Sequence, residues 1–247
     1  MELDNKIAIV TGASTGIGRA ISVALGKRRV AVFLVARSKE RLAQTKELVE
    51  KVNGKAQVIV ADLSDIDSIN HLISAIKIKT KRIDILVNVA GIWHGSDEVY
   101  ANRDFETFSQ KVIIDTYIVG TVAPTLLAHA AVPLMPKNGK IINISGTFEN
   151  GAKGWLPYFV SKKAIEDLTI GLAQELKNKD IQVNAISPSD TATEQYKKYF
   201  PQYISEAVDP RKIAEYTVYL CSKEANNITG EVFVVKKGKK PYNGYHV

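Results

Sequence analysis

The chain has 247 residues, 45% of them hydrophobic and 24% charged, the composition of an ordinary globular protein. At that length roughly 70% of the unfolded surface is buried, so no disulfide or metal is needed to hold a core, and the lone Cys221 excludes an internal disulfide. Lys plus Arg (33) exceed Asp plus Glu (26), yet they are spread along the chain, with clusters only at residues 27–29, 77–82 and 236–240, and no recognition motif accompanies them. Nucleic acid is therefore not an expected partner.

Seven short, nearly continuous apolar runs follow one another at residues 7–10, 30–35, 57–61, 83–89, 140–144, 182–186 and 231–235. Continuous rather than alternating apolarity is the mark of parallel strands covered on both faces, and each gap is long enough for a crossover helix. The expected fold is α/β: one doubly wound domain over residues 1–247 with a seven-stranded parallel sheet. No leader segment opens the chain and no apolar stretch approaches the ~20 residues of a membrane span. The expectation is a cytoplasmic protein without a membrane partner.

The first run leads into Thr11-Gly12-Ala13-Ser14-Thr15-Gly16-Ile17-Gly18. Glycines at a strand-to-helix turn allow a tight bend and let a pyrophosphate approach the backbone, while the following helix presents free N–H groups to it. That is a Rossmann-type dinucleotide site, with Gly12, Ser14, Thr15, Gly16, Ile17 and Gly18 as candidate cofactor contacts. After the second run the chain reads Val35-Ala36-Arg37-Ser38-Lys39. No acid is present to bond a ribose 2′-OH, and Arg37 stands where a guanidinium grips a 2′-phosphate, so NADP(H) is expected and NAD(H) is the weaker alternative. Tyr158 and Lys162 lie four apart at the start of a helical pattern and so share a face. A tyrosine alone loses its proton near ~10, and a neighbouring cation is expected to draw that value toward neutrality.

Four segments together resemble the short-chain dehydrogenase/reductase family, in particular its 3-oxoacyl reductase-like members: the glycine turn, Asn88-Val89-Ala90-Gly91, Tyr158-Phe159-Val160-Ser161-Lys162, and Pro188-Ser189-Asp190-Thr191-Ala192-Thr193. The resemblance spans nearly the whole chain. It implies hydride transfer between the nicotinamide and a small carbonyl or alcohol substrate, with Tyr158 as acid/base and Lys162 on the nicotinamide ribose. It implies that Asp62 and Leu63 meet the adenine, that Asn88, Ala90 and Gly91 line the ribose and nicotinamide side, and that Pro188, Thr191 and Thr193 complete the cofactor site. No metal site is expected.

The serine that holds the substrate carbonyl in the family is ambiguous here. Counting back 13 from Tyr158 gives Ser145; counting forward from Gly139 gives Gly146, with Thr147 the next hydroxyl. Ser145 is the expected residue, with a one-residue deletion in the loop after it. Asp115 to Thr121 resembles a helical segment carrying the family's fourth catalytic residue, an Asn thought to steady a helix kink and a proton-relaying water. Tyr117 takes its place. This departure keeps a second function class in view, an NADP(H)-binding sensor or scaffold with weak or no turnover.

A substrate lid is expected at about residues 192–208, where Tyr196, Tyr199, Phe200 and Tyr203 recur at helical spacing and Pro201 breaks a single helix. Trp93 and His94 are candidates to face the same pocket. The family's habit of assembly implies a homodimer or homotetramer, the latter by default, although the Lys236-Lys237-Gly238-Lys239-Lys240 ending departs from the family's usual acidic-Gly one.

Overall fold

The computed structural model describes residues 3–149 and 151–246. One sheet runs through it, in the order β3-β2-β1-β4-β5-β6-β7-β8. Its strands are β1 (Ile7–Thr11), β2 (Ala31–Ala36), β3 (Lys55–Val60), β4 (Ile85–Asn88), β5 (Lys140–Ile144), β6 (Gln182–Pro188), β7 (Val232–Val235) and β8 (Tyr242–Asn243). The first seven are parallel, as the apolar runs predict. The eighth is a correction: β8 folds back antiparallel on β7, pairing Val234 with Tyr242. Two residues carry no readable period, and the turn before them, with Gly238 at φ +71°, decides the pairing.

The apolar runs are continuous because alternate residues feed two different cores. Ala8, Val10, Val32 and Leu34 pack with Ile21, Leu25, Leu42 and Ile213, from α1 (Gly16–Gly26), α2 (Lys39–Lys51) and α8 (Pro210–Leu220). Ile9, Phe33 and Val35 face the other way, onto Ile69, Leu72, Leu127 and Ala173 of α3 (Ile66–Lys79), α5 (Ala123–Ala131) and α6 (Leu156–Glu175). A strand buried on both faces has no polar side to display.

Helix α4 (Gln110–Tyr117) continues into α5 through a π-helical turn, Ile118–Val122. Pro124, just beyond, has no N–H to donate and its ring crowds the preceding turn, which gives the widening a local cause. Gly120 sits in that turn, and a Cβ there would lie 2.7 Å from Ser161 Cβ. The missing side chain lets the turn seat against the first half of α6. The most apolar 18 residues within Gln110–Leu134 have a mean hydropathy of 1.5, enough to cross a bilayer by length and composition only. Val119, Ala123, Leu127 and Ala131 of that stretch pack into the second core.

Candidate active site

Strand order reverses between β1 and β4, so the chain leaves their carboxyl ends in opposite directions and opens a crevice there. The glycine turn and the segment after β4 form its floor. Gly12 has φ +61°, and a Cβ on it would stand 3.1 Å from the Ala90 nitrogen. A Cβ on Gly18 would be 2.2 Å from the Gly12 carbonyl oxygen, so no side chain is admissible there. Thr11 Oγ1 fastens the two segments by accepting the N–H groups of Val89 (3.0 Å) and Ala90 (3.3 Å). Thr15 precedes α1 without capping it, which leaves the first-turn N–H groups of Gly16, Ile17 and Gly18 open to a ligand.

Arg37 is exposed at the end of β2, and its charge reaches Asp62 after β3. Asp62 Oδ1 accepts the Ser64 N–H (2.9 Å) and hydroxyl (2.7 Å). Burial raises its affinity for a proton, but the Ser64 donors with Arg37 and Lys111 outweigh this and hold the carboxyl below its usual range. The side chain of Leu63 is core, so only its backbone borders the crevice. Asn88 is buried at the end of β4. Thr169 donates to Ile165 O (2.7 Å), so it accepts from Asn143 Nδ2 (2.8 Å), and Asn143 Oδ1 accepts from Asn88 Nδ2 (2.8 Å). The Asn88 amide is therefore spent inside the sheet, with its own oxygen left unpaired.

Tyr158 and Lys162 occupy the first turns of α6, with Lys162 Nζ 5.4 Å from the centre of the Tyr158 ring. Gly91 completes the group: a Cβ on it would meet Lys162 Nζ at 3.1 Å and the Tyr158 ring at 3.4 Å. Lys162 is buried and donates to Ile144 O at 2.8 Å. Burial pushes its ammonium down to about 8, with the Glu166 carboxylate opposing. Burial, then the Asp190 carboxylate, push the Tyr158 phenol above the ordinary tyrosine value. The expected downward pull of Lys162 does not prevail, because desolvation disfavours the phenolate more than the lysine, itself pushed toward neutrality, favours it.

Ser145 directly follows β5. It is buried, and its hydroxyl lies 2.5 Å from Glu166 Oε1 and 3.0 Å from Lys162 O. Glu166 lies eight residues beyond Tyr158, or roughly 12 Å along α6, so the serine turns beneath the helix rather than toward the phenol. Gly146 follows it with open space at its Cβ position except for Phe148 at 3.6 Å, and Thr147 is tied by its N–H to Pro188 O at 3.1 Å. Tyr117 ends α4 directly ahead of the π turn, so a kink is present without the family's Asn.

Beyond Pro188, buried at the end of β6, Thr191 pairs with Val208 and gathers the two ends of the segment between them. Thr193 caps α7 (Glu194–Tyr199), accepting from Tyr196 N (3.2 Å), and its methyl group covers Gly16. Aromatic rings then form a chain over the site. Phe200 packs on Trp93 (6.3 Å between centroids) and Trp155 (6.1 Å); Trp155 and Phe148 flank Tyr158 at 6.3 and 5.8 Å. His94 joins through Tyr199 (5.7 Å) and burial pushes its pKa down, so its ring behaves as part of the wall. Sequence reasoning missed Arg19, which donates to Ser14 O (2.6 Å) and pairs with Glu194 (3.2 Å), joining the glycine turn to α7. It also missed Trp155 and Phe148. An arginine next to the third glycine was a readable signal; the two rings, in a loop without periodicity, offered none.

The pattern described as short chain dehydrogenase matches residues 6–204. An uncharacterized oxidoreductase of Staphylococcus saprophyticus is 33% identical over 239 residues, covering 95% of this chain and 98% of its own. A 3-oxoacyl-acyl-carrier-protein reductase of Thermotoga maritima is 29% identical, covering 96% of this chain and 99% of its own. Among solved structures, an angucycline C-6 ketoreductase with bound NADP superposes with a TM-score of 0.84 at 28% identity, covering 94% of this chain and 95% of that one.

Proposed function

The chain belongs to the short-chain dehydrogenase family, and on that premise we propose that it is an NADP(H)-dependent reductase of a small, ring-bearing ketone. The observation that carries the reading is the joint placement of Gly91, Tyr158 and Lys162, a catalytic pair packed closely against a residue without a side chain. The open α1 N-terminus suits a pyrophosphate, and Arg37 suits a 2′-phosphate. When bound, the reduced nicotinamide supplies the hydride. Tyr158 keeps its proton at neutral pH and donates it to the substrate oxygen, which becomes a far stronger base than a phenolate once the carbonyl is reduced. Lys162 holds the ribose hydroxyls and offers a positive charge to the phenolate left behind. The chain of rings from Trp93 to Trp155 excludes water and accepts an aromatic or alicyclic face.

A second reading, an NADP(H)-binding protein with little turnover, is favoured by one specific observation. The Ser145 hydroxyl is committed to Glu166, and Gly146 has no hydroxyl to replace it in polarising the carbonyl. Separate titrations with NADPH and NADH, followed by a panel of cyclic ketones, 3-oxoacyl esters and quinones, decide between the two. Tight NADPH binding with oxidation by a panel member supports the reductase. Tight binding with no turnover supports the binding protein, and a preference for NADH removes the role of Arg37.

A further inference from the structure

The Lys-rich ending that departs from the family pattern is exposed along one side of a groove. The β7–β8 turn, the start of α8 and the lid base together enclose an open groove of about 1050 Å³. Seven basic and two acidic side chains line it, an excess of five positive charges from a chain whose total is +7. Both acids are engaged locally, Asp209 with Arg211 and Glu215 with Lys212. Lys239 and Lys240 form no ion pair among the described residues. One wall is aromatic: Tyr219 is 41% exposed and lies 5.5 Å, ring to ring, from Tyr216.

Like charges gathered in this way repel unless an anion or water screens them. A second copy of the chain on this face would set five positive charges against five. An acidic protein would need a broad surface of roughly 800 Å² per partner, whereas a groove of about 1050 Å³ is of the size of a small-molecule site, roughly 300–1,000 Å³. We propose that the groove is a second, non-catalytic binding site for a polyphosphate carrying an aromatic ring, a molecule of nucleotide type. Lys239 and Lys240 hold the phosphates and Tyr219 stacks on the ring. Ala192 and Val208, at the two ends of the lid segment, lie in the same lining, and Lys237 donates to Ser205 O within that segment. Occupancy therefore bears on the lid base.

The test uses the full chain with its cofactor site saturated by NADPH. Calorimetric titration with inorganic tripolyphosphate and then with ATP is expected to show binding of both, tighter for ATP. The Lys239→Ala/Lys240→Ala double variant weakens both by about tenfold or more, and Tyr219→Ala weakens ATP alone; unchanged thermal midpoints establish that the variants fold. Three results overturn the proposal. One is absence of binding at low salt, which would leave an acidic protein as the occupant to test. Another is binding indifferent to the double variant. The third is loss of tripolyphosphate binding in Arg37→Ala, which would put the anion in the cofactor site.

Discussion

Tyr158 and Lys162 share one helical face, and burial drives both toward their neutral forms: the phenol keeps its proton while the ammonium loses its proton early, near about 8. A role that requires the ammonium is filled below that value and lost above it. The reductive kcat/KM should therefore fall as the pH rises through about 8, and a profile flat across that range would show that the lysine charge is not needed. Ser145 makes a second residue-scale case. Its hydroxyl serves Glu166, a fully buried carboxylate that also accepts His246 N–H at 2.9 Å. Ser145→Ala should lower stability by about 1–3 kcal/mol in urea unfolding, because a buried acceptor loses its donor. A large rise in ketone KM with stability unchanged would instead return the carbonyl-holding role to Ser145.

At the scale of elements, the site depends on places where side chains are missing. Gly12, Gly18 and Gly91 allow two loops and a helix to converge, and Gly120 seats the π turn on α6. Gly18 is the sharpest case, since helix propensity and packing oppose each other there. Alanine is the better helix former by about 1 kcal/mol, yet its Cβ would meet the Gly12 carbonyl at 2.2 Å. Overlap with backbone has no cheap relief, so Gly18→Ala should cost about 1–3 kcal/mol. It should also weaken NADPH binding, read by cofactor fluorescence; equal affinity would mean that the turn yields.

For the whole molecule, two surfaces bear on assembly. Ile114 of α4, Val122 of the π turn and Val160 of α6 are exposed, an apolar face of the kind that a partner covers. The other surface, the free edge of β7, is already taken by β8, which blocks continuation of the sheet into a second copy. The expected assembly is thus a dimer through the helical face rather than the tetramer expected by default from the family resemblance. Light scattering on the wild type should give two chains, and Ile114→Glu with Val160→Glu should give one. Four chains would mean that β8 leaves the edge.

The sequence by itself determined the architecture and the shared helical face of Tyr158 and Lys162. Two-sided burial writes continuous apolar runs, backbone crowding writes glycines, and i,i+4 geometry writes Tyr158 and Lys162, so each is legible in the order of residues. Only the tertiary structure decided where Ser145 and Asn88 point, because a side chain at a strand end can serve the crevice or the interior, and the hydrogen-bond partner that settles it lies on another element. The same holds for the protonation of the catalytic pair. Spacing predicts that a lysine is near a tyrosine, but the balance between attraction and desolvation depends on how much protein surrounds them both. It holds again for the C-terminal lysines, scattered charges in the sequence that become a groove only when the β7–β8 turn meets α8.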